Sequence, residues 1–399
     1  MKNILFITWD GPQTSYMEGL FMPIFHEISK RQDIHFHVIQ FTWADRAKTD
    51  VVKKNAQGLG IHYTAFPILK KPVASLGSLI TLFTSSRNIK KYIQKHRIDI
   101  VMPRSTFPAF MVSRLLKSVA KVPFRGFRDK IIFDADGLPI DERVDFAGLK
   151  KDSRQYRWMK SIETQMLKRA DRVITRSQKS IEVHLENIGE HYRNKFSVVF
   201  NGRDAQAFAI NPEWRRVARS QLNIKEELVF VYAGSLGPQY HLPEMLQIVS
   251  IIEHAHFLLL TGNTEFAMRH VPEALRSKVT VKKVPVHEVP FWLNAADVAF
   301  ALRTPSFSMQ GVAPIKLGEY LLCGLPTIAS KGIGDSDRIL EQFNECLLYD
   351  HKHPPAMEDL LKFTEKAKFA DREKIRQKSL RFFSLDAAAD SYLKLLKKL

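Results

Sequence analysis

A lysine and a glutamate three residues apart, Lys316 and Glu319, stand inside the apolar run APIKLGEYLLCGLPTIAS at 313–330. Residues at i and i+3 share a helix face, so both charges point the same way. Two readings fit. One is a local ion pair stabilising the helix by roughly 0.3 kcal/mol. The other is a ligand site, for which Pro314 suits the first helical turn and the helix N-terminus with Lys316 cradles an anion. Glu319, one turn deeper, is then placed to accept hydrogen bonds from the two hydroxyls of a ribose diol. A second chemical signal is AGSLG at 233–237, where small residues allow a phosphate to approach the backbone of Ser235, Leu236 and Gly237. The chain has neither the G-x-G-x-x-G nor the Walker pattern, which argues against dinucleotide binding and ATP hydrolysis. In the first half, Arg104, Asp134, Asp136 and Glu142 follow strand-like runs. Asp134 suits a bracing role in its loop, and Asp136 suits binding or orienting a substrate hydroxyl. Gly11, in WDGPQTSY at 9–16, reads either as a turn glycine or as a close approach to ligand. His62, His241 and His287 are scattered, and no metal is assigned to them.

These residues need elements to hold them, and strand-like runs alternating with helix-like ones supply the pattern of an α/β protein. NILFITW (3–9), IHFHVIQF (34–41), IDIVMPRS (98–105), KIIFDADG (130–137), RVITRS (172–177) and FSVVFNG (196–202) read as strands of a first unit. Helices are expected at 17–31, about 77–96, 107–118 and about 152–169. A second unit restarts with LVFVYAGSLG (228–237), a helix near 242–254, then HFLLLTG (256–262), VTVKKV (279–284) and DVAFALR (297–303). A helix at 314–323 and the strand PTIAS follow. Strands buried on both faces of a parallel sheet are uniformly apolar, as these are. The expected organisation is two Rossmann-like domains, 1–203 and 204–383, joined near 203–224. The amphipathic segment 384–399 is expected to pack back on the first. In such sheets ligands bind beyond the C-terminal ends of strands, which is where the candidate residues lie.

At 399 residues with 45% hydrophobic content the chain is long enough for two packed domains. No apolar run approaches the ~18 residues of a membrane span. MKNILFITWDG reads as a first strand rather than a signal peptide, and two cysteines, Cys323 and Cys346, make no disulfide framework, so a reduced cytoplasmic setting is expected. Of the net charge of +18, residues 1–190 carry +13, from 32 Lys/Arg against 19 Asp/Glu. That excess reads either as a solvated basic surface or as attraction to an anionic partner. No zinc-finger spacing, RNP-like strand or Gly/Arg tract is present, so nucleic acid is not expected. Lys90, Lys91, Lys95 and Arg97, and Arg125, Arg128 and Lys130, suit anionic lipid headgroups.

Taken in order, YAGSLG, DVAFALR, APIKLGEYLLCGLPTIAS and GIGDSD resemble the C-terminal domain of retaining glycosyltransferases of family 4, and VVFNGRDAQAF resembles that family's interdomain signature. The resemblance covers most of the chain and is most specific over 313–337. It implies the GT-B architecture, two Rossmann-like domains facing across a cleft that holds a nucleotide-sugar. By this resemblance Glu319 is the second acid of an E-x7-E motif and holds the donor ribose. Lys316, Arg303 and the backbone of 235–237 meet the diphosphate, Val284 and Val286 wall the base, and Gly11 lies by the donor. Arg104, Asp134, Asp136 and Glu142 fall to the acceptor, with Asp136 and Lys316 in catalytic roles. The chain departs from the family at Gly311, which stands where the motif's first acid is expected, and in lacking a Lys-Gly pair after GSLG. DAD at 134–136 matches a D-x-D metal motif in letters. The resemblance implies instead that positive groups and helix dipoles replace a cation, so neither metal nor cofactor is expected. The implied activity is transfer of a sugar from a nucleotide diphosphate-sugar to a hydroxyl of a lipid-linked or polysaccharide acceptor. The implied setting is bacterial surface-glycan synthesis, capsule or O-antigen, at the inner face of the cytoplasmic membrane. A nucleotide-sugar epimerase of the same architecture and a non-catalytic scaffold are the alternatives.

Overall fold

In the computed structural model, residues 2–11, 16–71, 73–119, 130–225 and 227–399 are described, which leaves Arg125 and Arg128 outside. The chain divides into two compact units. Residues 1–200 with 388–399 form one, and residues 201–387 form the other.

In the first unit the described strands are β1 (Lys2–Asp10), β2 (Ile34–Thr42), β3 (His62–Pro67), β4 (Ile100–Pro103), β5 (Lys130–Asp136), β6 (Arg172–Thr175) and β7 (Phe196–Val198). They form one sheet in the order β3-β2-β1-β4-β5-β6-β7, every pair parallel. The order reverses direction between β1 and β4, so the loops after those strands diverge and leave room for a ligand. β1 is buried from Ile4 to Thr8 because helices cover both faces, which is why its apolar run is unbroken. β3 and the helix before it, Arg46–Gly58, carry little apolar signal. The strand lies at the sheet edge and is half-buried, and the helix buries only Val52 and Ala56. The helix expected over 77–96 is two helices, Ala74–Thr84 and Ser86–His96. At the break the Ser85 hydroxyl donates to the Thr81 carbonyl at 2.5 Å, a back-bond that bends helices.

The second unit repeats the topology. Its described strands are β8 (Leu228–Ala233), β9 (Ala255–Leu260), β10 (Val279–Lys282), β11 (Val298–Ala301), β12 (Thr327–Ser330) and β13 (Leu347–Tyr349). They lie in the order β10-β9-β8-β11-β12-β13, again parallel, with the reversal between β8 and β11. Residues 203–224 fold into this unit: Phe208, Ala218 and Ile224 are in its core, and 212–221 is a helix capped by the Asn211 side chain on the Trp214 N–H. The last helix, Leu385–Leu396, starts in the second unit and ends in the first. There Tyr392 meets the Phe25 ring edge-on at 6.5 Å, and Asp390 pairs with Arg31 at 3.0 Å.

One buried group makes the first unit acid-sensitive. His37 on β2 stacks on His62 with ring centroids 4.6 Å apart, lies 5.2 Å from His96, and its Nδ1 is 3.2 Å from the Tyr92 hydroxyl. Burial, reinforced by His62, His96 and His35, pushes its pKa down to about 4. The unfolded chain therefore binds the extra proton first. The stability of the neutral buried ring is complete above about pH 6.5 and is lost as pH falls toward 4. Urea midpoints at pH 7 and pH 4.5 should show His37→Gln recovering up to about 2 kcal/mol of the acid loss; equal losses in both proteins would contradict this.

Candidate functional site

In the second unit the candidate residues gather where β8 and β11 end. The chain leaves β8 through Gly234, whose φ is +155°. A Cβ there would stand 1.8 Å from the Lys316 Nζ and 2.3 Å from its Cε, so a side chain would push the end of the lysine aside, and the positive φ itself favours glycine. Lys316 lies in the first turn of the helix Ile315–Leu322, which starts after Pro314, and its ammonium sits 5.7 Å from the Tyr232 ring centroid. Tyr232 in turn donates to the Ser235 carbonyl at 2.5 Å, which shapes the glycine loop. The Leu236 side chain is core, so that residue can offer a ligand only its backbone, whereas Ser235 is exposed. Arg303, two residues past β11, hydrogen-bonds Gln239 at 3.5 Å and lies 5.3 Å over the Tyr240 ring. Among the described residues neither Lys316 nor Arg303 has a carboxylate within ion-pair distance, and the Arg303 Nε is buried without a hydrogen bond. Burial lowers the Lys316 pKa, Glu319 opposes the shift, and Arg303 and Arg203 add to it. This is an enclosed cation that an anion would stabilise.

The local ion pair between Lys316 and Glu319 does not form. Glu319, 9% exposed, is held instead by Arg203, Nη2 to Oε1, at 2.7 Å. Nothing in sequence spacing links residues 116 positions apart, so Arg203 was missed. Gly311 is buried at the end of the turn Ser308–Gly311. Val284 is half-buried against the core, while Val286 is 62% exposed in the turn Val286–Glu288.

Behind Arg303 lies a group that the sequence reading left dispersed. His241, Glu244 and His351 bring ligand atoms within 4.8 Å of one another, a set able to hold a metal ion. In this structure they bond to their surroundings. The His241 Nδ1 is 2.5 Å from Glu244, its Nε2 is 3.0 Å from the Thr304 hydroxyl, and its ring stacks on His351 at 3.9 Å. The His351 Nε2 is 2.6 Å from the Ser330 hydroxyl, which accepts the Arg303 N–H at 2.7 Å. The stacked pair thus braces the backbone on both sides of Arg303. Burial, with the neighbouring His241, lowers the His351 pKa.

The first unit gathers a different cluster at the ends of β1, β4, β5 and β6. Arg104 pairs with Asp136 at 2.6 Å and Asp10 at 3.7 Å, and Arg176 pairs with Asp134 at 2.7 Å and Asp136 at 3.6 Å. Asp134 is fully buried. It also accepts the Asp136 N–H at 2.9 Å, which makes it a brace with no surface to offer. Asp136 has a φ of +65°, strained for an aspartate, at a register shift between β5 and β6. Its side chain is 28% exposed, the most open carboxylate of the group. Asp10 and Arg176 were not singled out in sequence, although each stands at or just past a strand end. Glu142 is exposed on the helix Pro139–Ala147, apart from these pairings. Gly11 is packed by Trp43, whose ring would be 2.8 Å from any Cβ there.

No family model matches the chain, and no curated protein matches it by sequence. Solved structures do. HepE (Alr3699) of Anabaena in complex with UDP aligns over all of both chains, with a TM-score of 0.73 at 16% identity. Sucrose-phosphate synthase from Thermosynechococcus elongatus aligns over 100% of this chain and 99% of its own, TM-score 0.70, also at 16% identity. WaaG, a glycosyltransferase involved in lipopolysaccharide biosynthesis, aligns over 97% and 98%, TM-score 0.61, at 15% identity. The fold is GT-B. In this GT-B chain the cations lie at the strand ends of the second Rossmann-like unit, and the Arg/Asp cluster lies at those of the first.

Two cations without acid partners at a glycine loop predict anion binding that an inorganic probe can read. Calorimetry with pyrophosphate should show Lys316→Met weakening binding about tenfold or more. Affinity should fall as pH rises through the lowered Lys316 value, and Lys316→Arg should hold it to higher pH. Unaltered binding by Lys316→Met would remove the lysine from the site.

Proposed function

We propose that the protein is a retaining glycosyltransferase that moves a sugar from a nucleotide diphosphate-sugar to a hydroxyl of a lipid-linked or polysaccharide acceptor. The observation that carries this reading is the pairing of Lys316 and Arg303, without carboxylate partners among the described residues, with a loop whose φ at Gly234 favours glycine. In this reading the diphosphate lies against that loop, and Glu319, oriented by Arg203, accepts the ribose hydroxyls. As the bond from the anomeric carbon to the phosphate oxygen breaks, negative charge grows on the diphosphate. Lys316 and Arg303 stabilise it, which accounts for catalysis without a divalent ion. The acceptor oxygen bonds to the same face of the anomeric carbon, and its proton passes to the leaving phosphate oxygen.

The acceptor falls to the first unit, where Asp136 is the most open carboxylate of the cluster and Arg104 fixes its direction. UDP bound by HepE and the lipopolysaccharide role of WaaG support a nucleotide-sugar donor and a surface-glycan acceptor. The excess of basic residues in the first half supports work at the inner face of the cytoplasmic membrane.

A panel of nucleotide-sugars with lipid-linked and glycan acceptors tests this by nucleotide diphosphate release and by NMR of the product. Release that depends on acceptor, with the anomeric configuration kept, is expected. Donor isomerised without an acceptor, or no turnover of any donor, would overturn the reading in favour of an epimerase or a scaffold. Glu319→Gln should cost about tenfold or more in nucleotide affinity, measured below the melting temperature that the loss of the Arg203 pair lowers; unchanged binding would sink the ribose assignment.

A further inference from the structure

The helix Ala74–Thr84 is inside out. Its buried side is Gly77, Thr81 and Leu82, with Ser85 following, while Leu76, Leu79, Ile80 and Phe83 are 44%, 42%, 38% and 47% exposed. Those four recur at i, i+3, i+4 and i+7, one continuous face. Leu69 and Val73, just before the helix, are 47% and 57% exposed. Packing explains the inner side. A Cβ on Gly77 would stand 2.2 Å from the Leu69 carbonyl oxygen, and the Thr81 hydroxyl donates to the Gly77 carbonyl and accepts the Leu69 N–H. The helix is thereby fastened to the chain by Gly77, Thr81 and Leu82, while Leu76, Leu79 and Ile80 are left facing water and Phe83, edge-on to Phe110 at 5.2 Å, is half covered. A helix selected only to fill a core would have them the other way round.

We propose that this face inserts into an anionic lipid surface. Charge decides for lipid. Residues 51–98 hold nine Lys/Arg and no Asp or Glu, and Lys70, Lys71, Arg87 and Lys91 are exposed around the helix. The exposed Arg114 adds a guanidinium 4.7 Å over the Phe83 ring. An apolar strip rimmed by cations fits acyl chains beneath anionic headgroups. A second copy would bring the same cations face to face in a two-fold contact. Eleven residues rise only about 16 Å, too little to span a bilayer, so the helix lies in the interface plane. The inference deepens the membrane setting proposed above by adding an apolar anchor to the electrostatic one. It does not depend on the transfer chemistry, because its test reads binding rather than turnover.

The test is co-sedimentation of the full chain with phosphatidylcholine vesicles, with and without phosphatidylglycerol, at low and high salt. The wild type should bind the anionic vesicles and keep part of that binding in high salt. The double variant Leu79→Asp/Ile80→Asp, whose side chains are exposed, should melt like the wild type and lose binding at least about tenfold, or about 1.4 kcal/mol. It should lose the salt-resistant part altogether. Lys70→Gln/Lys71→Gln should instead lose mainly the salt-sensitive part. Undiminished binding by the Leu79/Ile80 variant would overturn the proposal. So would sedimentation velocity showing a wild-type dimer that the same substitutions dissolve, with no vesicle binding.

Discussion

The Lys316 ammonium rests where a Cβ on residue 234 would stand, and the positive φ there favours the glycine that leaves that space open. Much of the second unit's site follows from that contact. The lysine is enclosed, so it loses hydration, and burial lowers its pKa. Glu319, one turn on, could have relieved it but is turned to Arg203. The positive charge therefore stays directed at the glycine loop, at the strand ends where parallel sheets reverse. Arg303 adds a second cation with its own support: Ser330 and His351 on one side, Thr304 and His241 on the other. A site made this way is prepared for negative charge before any ligand arrives, which is the condition for stabilising a leaving diphosphate without rearrangement.

The first unit solves a different electrostatic problem. Two guanidiniums and three carboxylates share the ends of four strands, and the members are closely interlocked. Burial raises the Asp134 pKa, and Arg176 and Arg104 oppose the rise. A buried charge is tolerable only when paired and hydrogen-bonded, and Asp134 has both. The cluster's one accessible acid, Asp136, sits at a strained φ on a register shift. Strain of that kind persists where surrounding bonds over-determine it. Here the Arg104 pair, the Asp136 N–H bond to Asp134, and the Arg176 N–H bond to the Asp136 carbonyl do so.

What was legible in the sequence follows from how each element is stabilised. Central strands such as β1 and β8 are buried on both faces, and their apolar runs reveal them. The edge strands β3 and β13 lack that signal, since β3 is half-buried and β13 is three residues long. At the site, residues tied to a local pattern were readable: the glycine loop, Lys316, Glu319, and the aspartates after β5. Residues recruited across the fold were not. Arg203 reaches Glu319, and His351 reaches His241, over separations of more than one hundred positions; Arg203 stands in the motif VVFNGRDAQAF, but nothing in that motif points to Glu319. The inside-out helix was also hidden, because 75–83 read as an apolar run and an apolar run does not say which way its face turns.

Arg203 also ties Glu319 to the last helix. Its backbone accepts the Leu385 N–H at 3.0 Å and donates to the Phe383 carbonyl at 2.7 Å, at the start of the last helix. Gly318, beside Glu319, leaves room for Phe383, since a Cβ there would stand 2.7 Å from that ring. The same helix ends in the first unit, where the buried Tyr392 hydrogen-bonds Arg176, partner of Asp134, and burial pushes the tyrosine up to about 12. One twelve-residue helix is therefore anchored at its first turn to the arginine that orients Glu319. Farther along it is anchored to the arginine that pairs with Asp134. The first residue of this helix is thus tied by backbone bonding to Arg203 in the second unit, and its Tyr392 to Arg176 in the first, beyond the apolar surface the helix covers.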